Sequence, residues 1–550
     1  MKKILQIFLF IIFTDSLLTQ VNLEWIKRFP NQQNASSLSS DMVIDRSGNI
    51  YVAGSTAVSG EGLQIVLLKY KPDGSSIWIR YFGGAFHGFD GSVAILKDKY
   101  DNVYLTGYTT TSTYSALDIA TLKFDSSGTL LWSNIFSNGV GIDDYPYAIS
   151  IDSSLNVFVS GFTYGGGRDG LLIKMNSNGV QQWFKTYRSF SNFSDEAYSV
   201  CADFNGNSYI ALLASDSGNG NIGTIKYDPD GNVLWNNKFR GLLNSFDYPS
   251  KLVLDNSNNV YVVGTTDDSL GYDDFVTIKY GSDGSLKWSK TYNGTGNNID
   301  NANYIVIDEA NNCYVTGPSV NPQNNADFTT IKYNPFGELQ WVSRFRQSNS
   351  TYNNPVRLVL DRSNNIYVTG NSRSLTTNED FSTVKYNNNG IEQWNIIYNG
   401  SSNGDDLASA IITDQFYNVY VTGSSLESGI NEQITILKYS QPIGIIPVSS
   451  QIPSQFSLSQ NYPNPFNPAT KIKFQIPLMR GVDAEGGRGV FVQLSIHDIL
   501  GREVAVLVNE QLTPGTYEVE WDASAFPSGV YFYTITSGSF KETRKMVLLK

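Results

Sequence analysis

Residues 199–239 read SVCADFNGNSYIALLASDSGNGNIGTIKYDPDGNVLWNNKF. Four short extended runs stand out: SVCAD (199–203), SYIALL (208–213), IGTIKY (222–227) and VLWNNKF (233–239). Asn/Gly-rich or Asp-Gly turns separate the first pair and the last pair, as tight hairpins require, because those residues tolerate left-handed backbone. No 3.6-residue period is sustained, so the stretch reads as four antiparallel strands.

The same unit recurs along the chain. Eight of the nine Trp are periodic: Trp25, Trp78, Trp132, Trp183, Trp235, Trp288, Trp341 and Trp394. An Asp that opens a turn before an extended run keeps the period at Asp45, Asp98, Asp152, Asp203, Asp255, Asp308, Asp361 and Asp414. So does a Lys followed by an aromatic or Met, from Lys69-Tyr70 to Lys438-Tyr439. A near-constant period of this kind must be read before any local feature. Four antiparallel strands repeated radially make the blade of a β-propeller, and the count predicts an all-β, eight-bladed one over residues 21–440. Its phase predicts how the ring closes. The chain starts with a lone Trp strand (LEWIKRF, 23–29), and its last copy ends at ITILKYS (434–440) without one. Pairing the two leaves no sheet edge open.

Charge and rare residues exclude several chemistries. Residues 16–455 hold 28 basic and 41 acidic side chains, near −13, whereas residues 456–550 hold nine of each. An acidic body repels phosphate backbones, which argues against nucleic acid. With only His87 and His497, a Ser-His-Asp triad, a multi-His zinc site and an HExxH helix are all disfavoured. Cys201 and Cys313 occupy different positions in different copies and read as buried thiols rather than a disulfide or metal site. No cofactor or metal is expected.

Residues 1–20 read as a signal peptide: Lys2 and Lys3, then the apolar run ILQIFLFIIF (4–13), then Thr14-Asp15-Ser16. Ten helical residues rise about 15 Å, too short to span a bilayer. The expected mature chain has no transmembrane helix. Beyond the repeats, residues 441–455 read as an extended linker, and 456–550 as about seven strands of an immunoglobulin-like sandwich, with a polar loop insertion over 479–490.

These patterns resemble two known families. The G…D-x-A…D-x-x-G-N-x-Y-V-x-G…K-Y…D-G…W unit resembles the bacterial β-propeller (SBBP) repeat, over roughly residues 23–440. The tail resembles the C-terminal sorting domain of type IX secretion substrates. The motifs are YPNPFNP (462–468), GREV (501–504), WD-x₄-PSGVYFY (521–533) and the terminal KMVLLK (545–550). That resemblance implies sorting-signal roles for Gly501, Arg502, Gly529, Tyr531, Lys545 and Lys550. It also implies the type IX machinery as a partner, and a product secreted or anchored at the outer surface of the bacterial outer membrane.

Within the repeats, Asp90, Asp144, Asp195, Asp247, Asp300 and Asp406 lie eight residues before the turn Asp, with Ser37 and Asn353 in the other two copies. They open the strand that lines a propeller channel, so six carboxylates around the mouth could take a cation or polyhydroxylated ligand. The competing reading is a loop Asp accepting backbone N–H bonds. The repeated Lys is expected in structural ion pairs with the Asp45-type residue, or with Asp118, Asp169, Asp274, Asp327 or Asp380. The D-x-S-x-N stretches lack the Gly and distal Glu of a calcium loop and read as hairpin turns. His87 reads as a loop residue and His497 as a strand residue. No nucleophile–base pair appears, so no catalytic residue is assigned. The leading expectation is a monomeric, non-enzymatic binding or adhesion module for an extracellular glycan or protein. The alternatives are a polysaccharide lyase or glycoside hydrolase using the channel-mouth carboxylates, and a structural surface-layer protein.

Overall fold

The computed structural model describes residues 21–29, 36–84, 86, 88–111, 116–189, 194–216, 219–241, 246–374, 377–427, 431–441, 446–449, 453–477, 490–512, 514–523 and 526–550. The expected signal peptide, His87 and most of the 479–490 insertion lie outside them. Every regular element among the described residues is a β-strand. Two compact units result, Leu23–Tyr439 and Ser440–Lys550.

The first unit is a series of four-stranded antiparallel sheets of β-propeller type, each a meander in chain order. They span 37–82, 91–136, 144–187, 196–239, 248–292, 304–345, 350–398 and 406–440. The eighth has only three strands of its own, and Asn22–Phe29 pairs with Asn431–Ser440 as its fourth. The first, inner strands of successive sheets touch in order, and that of the eighth touches that of the first.

The first hairpin of each sheet is closed by its turn Asp. Asp45 Oδ1 accepts the backbone N–H of Ser47 at 2.9 Å and of Asn49 at 2.8 Å, while Oδ2 accepts Asn49 Nδ2 at 2.8 Å. The residue three after the Asp is left-handed, as at Gly48 (φ 81°), Asn258 (φ 59°) and Tyr417 (φ 63°). The carboxylate is therefore consumed in holding a turn, the hairpin expected in place of a calcium loop.

The periodic Trp joins one sheet to the next. Trp78, Trp132, Trp183, Trp235, Trp288 and Trp341 each donate Nε1–H to a carbonyl in the last turn of the following sheet, at 3.0–3.4 Å. Trp25 does the same to Pro72 O at 3.1 Å, so the eighth sheet grips the first in the repeat's own manner. In the gripped turn stands a left-handed Gly. A Cβ on Gly179 (φ 78°) would lie 2.5 Å from the Trp132 ring, so only hydrogen fits. The apolar core lies between facing sheets: Ala53 and Leu67 of the first cluster with Val103, Leu105 and Leu122 of the second.

Inner strands carry a β-bulge, as between Pro146 and Ala148, where the neighbouring strand offers Gly161. A Cβ there would sit 1.9 Å from Tyr145 O, so glycine lets the backbones close up. The extra residue at the bulge re-aims the side chains at the head of the inner strand.

In the second unit, strands order into two four-stranded antiparallel sheets. One cluster draws Ile472, Phe474 and Trp521 from one sheet and Leu494, Ile496, Tyr533 and Met546 from the other. The segment expected as an extended linker supplies a strand of its own: Ile446–Ser449 pairs with Gly515–Asp522. Its alternation is too short to register as a strand by pattern, and a partner far along the chain completes it.

Candidate functional site

In a meander the turns after the first and third strands lie at one end, and the second hairpin and the crossover to the next sheet at the other. The first end is uniform. The second varies from sheet to sheet, which is where a rigid scaffold carries recognition.

The six candidate carboxylates sit at this second end, but they do not face solvent. Asp90, Asp144, Asp195, Asp300 and Asp406 are 0% exposed and Asp247 is 1%. Each accepts the backbone N–H six residues upstream: from Gly84 and Asn138 at 2.7 Å, Ser189 at 2.6 Å, Gly241 at 2.9 Å, Gly400 at 2.5 Å, and Gly294. Thr109 and Thr266 hydroxyls bond Asp90 and Asp247 from the second strand. Asp90, Asp195, Asp247 and Asp300 donate their own N–H to the third strand of the preceding sheet. Ser37 and Asn353 fill the same buried slot. The expected ligand-binding ring is corrected: these side chains clamp the crossover, because the loop folds back over them and supplies the N–H groups. Burial raises the carboxyls of Asp144, Asp195, Asp247 and Asp300 above the usual range.

The repeated Lys is also structural, and in two sheets it meets the expected turn Asp. Lys69 and Lys279 lie 3.6 and 3.9 Å from Asp45 and Asp255. Their closer hydrogen bonds go to Ser126 O at 2.7 Å and Pro335 O at 3.1 Å, carbonyls of the next sheet. Lys69, Lys123, Lys226, Lys279, Lys332 and Lys385 cap the Tyr of the second strand, with Nζ 4.6–5.2 Å from the ring centroid. Asp169 and Asp327 pair instead with Arg188 and Arg344. Burial lowers the Lys385 amine to about 8.

The repeat is broken in one sector of the crossover end. Next to the clamping acid stand Tyr145, Glu196 and Tyr248 in the third, fourth and fifth sheets; two residues further on stand Tyr147, Tyr198 and Ser250. The other sheets carry Leu38, Gly91, Asn301, Asn354 and Leu407 at the first position. The rings line up in one arc. Tyr108 stacks on Tyr145 at 5.1 Å, Tyr145 on Phe162 at 5.9 Å, and Tyr147 lies 5.0 Å from Tyr198 with planes 2° apart. Phe246 and Tyr248 stack at 5.9 Å and are 45% and 39% exposed. Arg168 covers Phe162 and pairs with buried Glu196 at 2.8 Å, and Tyr147 Oη donates to Glu196 at 2.5 Å. Burial and the Glu196 charge push the Tyr147 and Tyr198 phenols well up, so they remain donors. Beyond Tyr248 the hairpin pair Asp267 and Asp273 crowds two carboxyls together; burial and that neighbour raise Asp273 to about 6. Sequence reasoning passed over this arc, although its signal is there: aromatics at two positions that elsewhere hold small or aliphatic residues.

Deeper along the inner strands, below the bulge level, Lys251 and Arg357 break the repeat again. Asp41 of the first sheet pairs with Arg357 of the seventh, reaching past the eighth. Arg357 and Lys251 both face the Tyr304 ring, at 5.3 and 5.5 Å. Asp41 also accepts Met42 N at 2.8 Å and Ile95 N at 3.3 Å.

In the tail, the motif residues converge. Phe466 and the last strand exchange backbone bonds, from Phe466 N to Val547 O at 3.0 Å and from Leu549 N to Phe466 O at 2.9 Å. Tyr531 packs 5.3 Å from Trp521 and bonds Pro527 O; Gly529 faces Leu548 and Lys545 faces Phe532 across paired strands. Gly501 is left-handed (φ 77°) in a turn where Arg502 bonds Asp498 at 2.7 Å, and Lys550 N bonds Ser528 at 3.0 Å. Residues 460–549 match the secretion system C-terminal sorting domain. The tail is a type IX sorting domain. Such a domain indicates export and attachment to the cell surface. Residues 24–60 match the beta-propeller repeat family.

Among curated proteins, an uncharacterized WD repeat-containing protein of Acanthamoeba polyphaga mimivirus is 24% identical over 467 residues, which covers 68% of this chain and 32% of the relative. The chain thus spans about a third of that relative's length. PorZ, a surface component of the type-IX secretion system of Porphyromonas gingivalis, aligns at TM-score 0.30 and 10% identity over 92% of this chain and 91% of its own. The β-propeller domain of the Trilobed protease from Pyrococcus furiosus aligns at TM-score 0.39 and 8% identity over 65% and 98%.

Cys201 and Cys313 are free thiols, pushed up by burial to about 11 and about 12. His497 lies in the strand Val490–His497, beside a shallow groove lined by Ser495, Thr534 and Thr543. Among the described residues no group of three or more His, Cys, Asp or Glu could hold a metal ion. No helix among them is long and apolar enough to cross a membrane.

Proposed function

We propose that this is an exported eight-bladed β-propeller that binds an extracellular ligand without transforming it. A signal peptide over 1–20 starts its export, and an immunoglobulin-like sorting domain over 456–550 delivers it to the outer face of the outer membrane. The propeller, over 21–440, is the working part. One observation carries the reading: the repeat's own carboxylates and lysines are consumed in clamps and staples, while one arc of the variable end departs from the repeat into partly exposed aromatic rings. Binding surfaces are enriched in such rings, which offer a large, rigid, half-polar contact. The glycosidase alternative needs two free carboxyls about 5–9.5 Å apart. Glu196, the acid within the arc, is already held by Arg168 and Tyr147.

The test is to display the secreted chain on arrays of extracellular glycans and proteins, and to assay the same polymers for cleavage. Retention without product is the expected result. New reducing or unsaturated ends, lost on Glu196→Gln, would replace this reading with the enzymatic one.

A further inference from the structure

We propose that the arc Tyr145–Tyr147–Tyr198–Tyr248 binds the chain of a neutral, hydroxyl-rich polysaccharide, an inference that rests on the binding reading above. Inner strands of neighbouring sheets bring their heads side by side, so one aromatic substitution per sheet builds a curved row rather than a pocket. Tyr145 and Tyr147 come from the third sheet, Tyr198 from the fourth, and Tyr248, with Phe246 beside it, from the fifth. A row of platforms suits an extended ligand that presents one flat apolar face after another.

The chemistry of the row narrows the ligand. The rings offer polarizable faces, and the phenols stay protonated donors at any physiological pH, so the surface is apolar in the middle and polar at its edges. A pyranose is the complement of that, with C–H groups on its faces and hydroxyls around its rim. A hydrophobic peptide or helix would instead need a continuous dry groove, and here the half-exposed Arg168, paired with buried Glu196, interrupts the rings with charge.

Charge narrows it further. Arg168 is neutralised by Glu196 at 2.8 Å. Burial, and then the nearby Asp273 and Asp267 charges, raise the Tyr248 phenol. The surrounding body is near −13. Polyuronates and sulfated glycans are therefore repelled, and uncharged glycans are not.

The experiment is affinity electrophoresis of the secreted chain through gels containing a neutral β-glucan, a neutral galactan or mannan, or an acidic alginate, repeated with a panel of extracellular proteins by pull-down. Retardation by at least one neutral polymer and none by alginate is expected. Tyr248→Ala with Phe246→Ala, at two exposed rings and with the unfolding midpoint checked against the parent chain, should weaken that retardation roughly 3–10-fold. Tyr147→Phe, which keeps the ring, should weaken it less than about twofold, and Phe204→Ala at the opposite end should do nothing. Arc-dependent capture of a protein with no glycan retardation would overturn this inference and leave the binding reading standing. Retardation by alginate alone would overturn the charge argument. No arc-dependent binding in any arm would overturn both.

Discussion

Replacing Gly179 by Ala tests whether the Trp-to-turn grip is what holds neighbouring sheets together. Gly179 stands at φ 78°, and an added Cβ would meet Trp132 Cδ2 at 2.5 Å, Cε3 at 2.6 Å and Cγ at 3.0 Å. Trp132 cannot swing away, because Tyr104 backs it at 6.0 Å and its Nε1 is tied to Ser177 O at 3.1 Å. The left-handed conformation alone costs an alanine about 1–2 kcal/mol. Overpacking a rigid ring adds about 1–3 kcal/mol. The control is Gly271→Ala, at φ 83° with nothing within 4 Å, which carries the first cost without the second. Guanidinium unfolding followed by Trp fluorescence should place Gly179→Ala about 1–3 kcal/mol below Gly271→Ala. Equal losses, within about 0.5 kcal/mol, would mean that turn strain alone demands glycine and that the Trp contact is incidental.

Three further outcomes follow from the geometry. Lys279→Met removes a charge seated 4.6 Å from the Tyr261 ring and bonded to Pro335 O at 3.1 Å; calorimetry should show a lower Tm, by about 1–2 kcal/mol of stability, with ligand binding unchanged. Asp273 has its folded pKa raised from 3.8 to about 6, so its favourable contribution is complete below the unfolded value and is lost as pH rises through about 6. Asp273→Asn should therefore stabilise the chain at pH 8 and not at pH 3.5, by about 1 kcal/mol once solvent screening is allowed for; a gain of the same size at both pH values would exclude carboxyl crowding as its cause. Asp41→Asn leaves Arg357 without its counter-charge in the inner strands and should cost about 3–5 kcal/mol, whereas Asp41→Leu with Arg357→Met should restore much of it; a double variant as weak as the single one would show that the pair holds the fold through more than charge balance.

Most of the repeat was legible because its determinants are local. The turn Asp, the left-handed residue three places on, and the Gly of the second turn each act on their immediate chain neighbours, so they recur as written letters. Trp25 and its missing partner strands also announced the closing strand, since an incomplete first copy and an incomplete last copy are complementary. Two details stayed open for a shared reason. Asp144 carried two readings, a ligand site and a loop clamp, and Asn138 with the loop between them folds over it as a clamp. Lys279 reaches the expected Asp255 at 3.9 Å, but its closer partners are the Tyr261 ring of its own sheet and a carbonyl of the next. In both cases the deciding group lies across a crossover or an inter-sheet face, which the repeat period does not encode.

By itself the sequence determined the strand content, the repeating unit, the order of the modules and the sorting address, because hydrophobic alternation, turn chemistry and motif spelling are properties of contiguous residues. The tertiary structure alone decided which carboxylates are buried, that Ile446–Ser449 joins the distant strand Gly515–Asp522, and that Tyr145, Tyr147, Tyr198 and Tyr248 share one arc. Those facts depend on a loop folding back over a strand, on a distant stretch of chain supplying a strand, or on neighbouring sheets bringing their inner strands together, and the letters of one copy do not encode any of these.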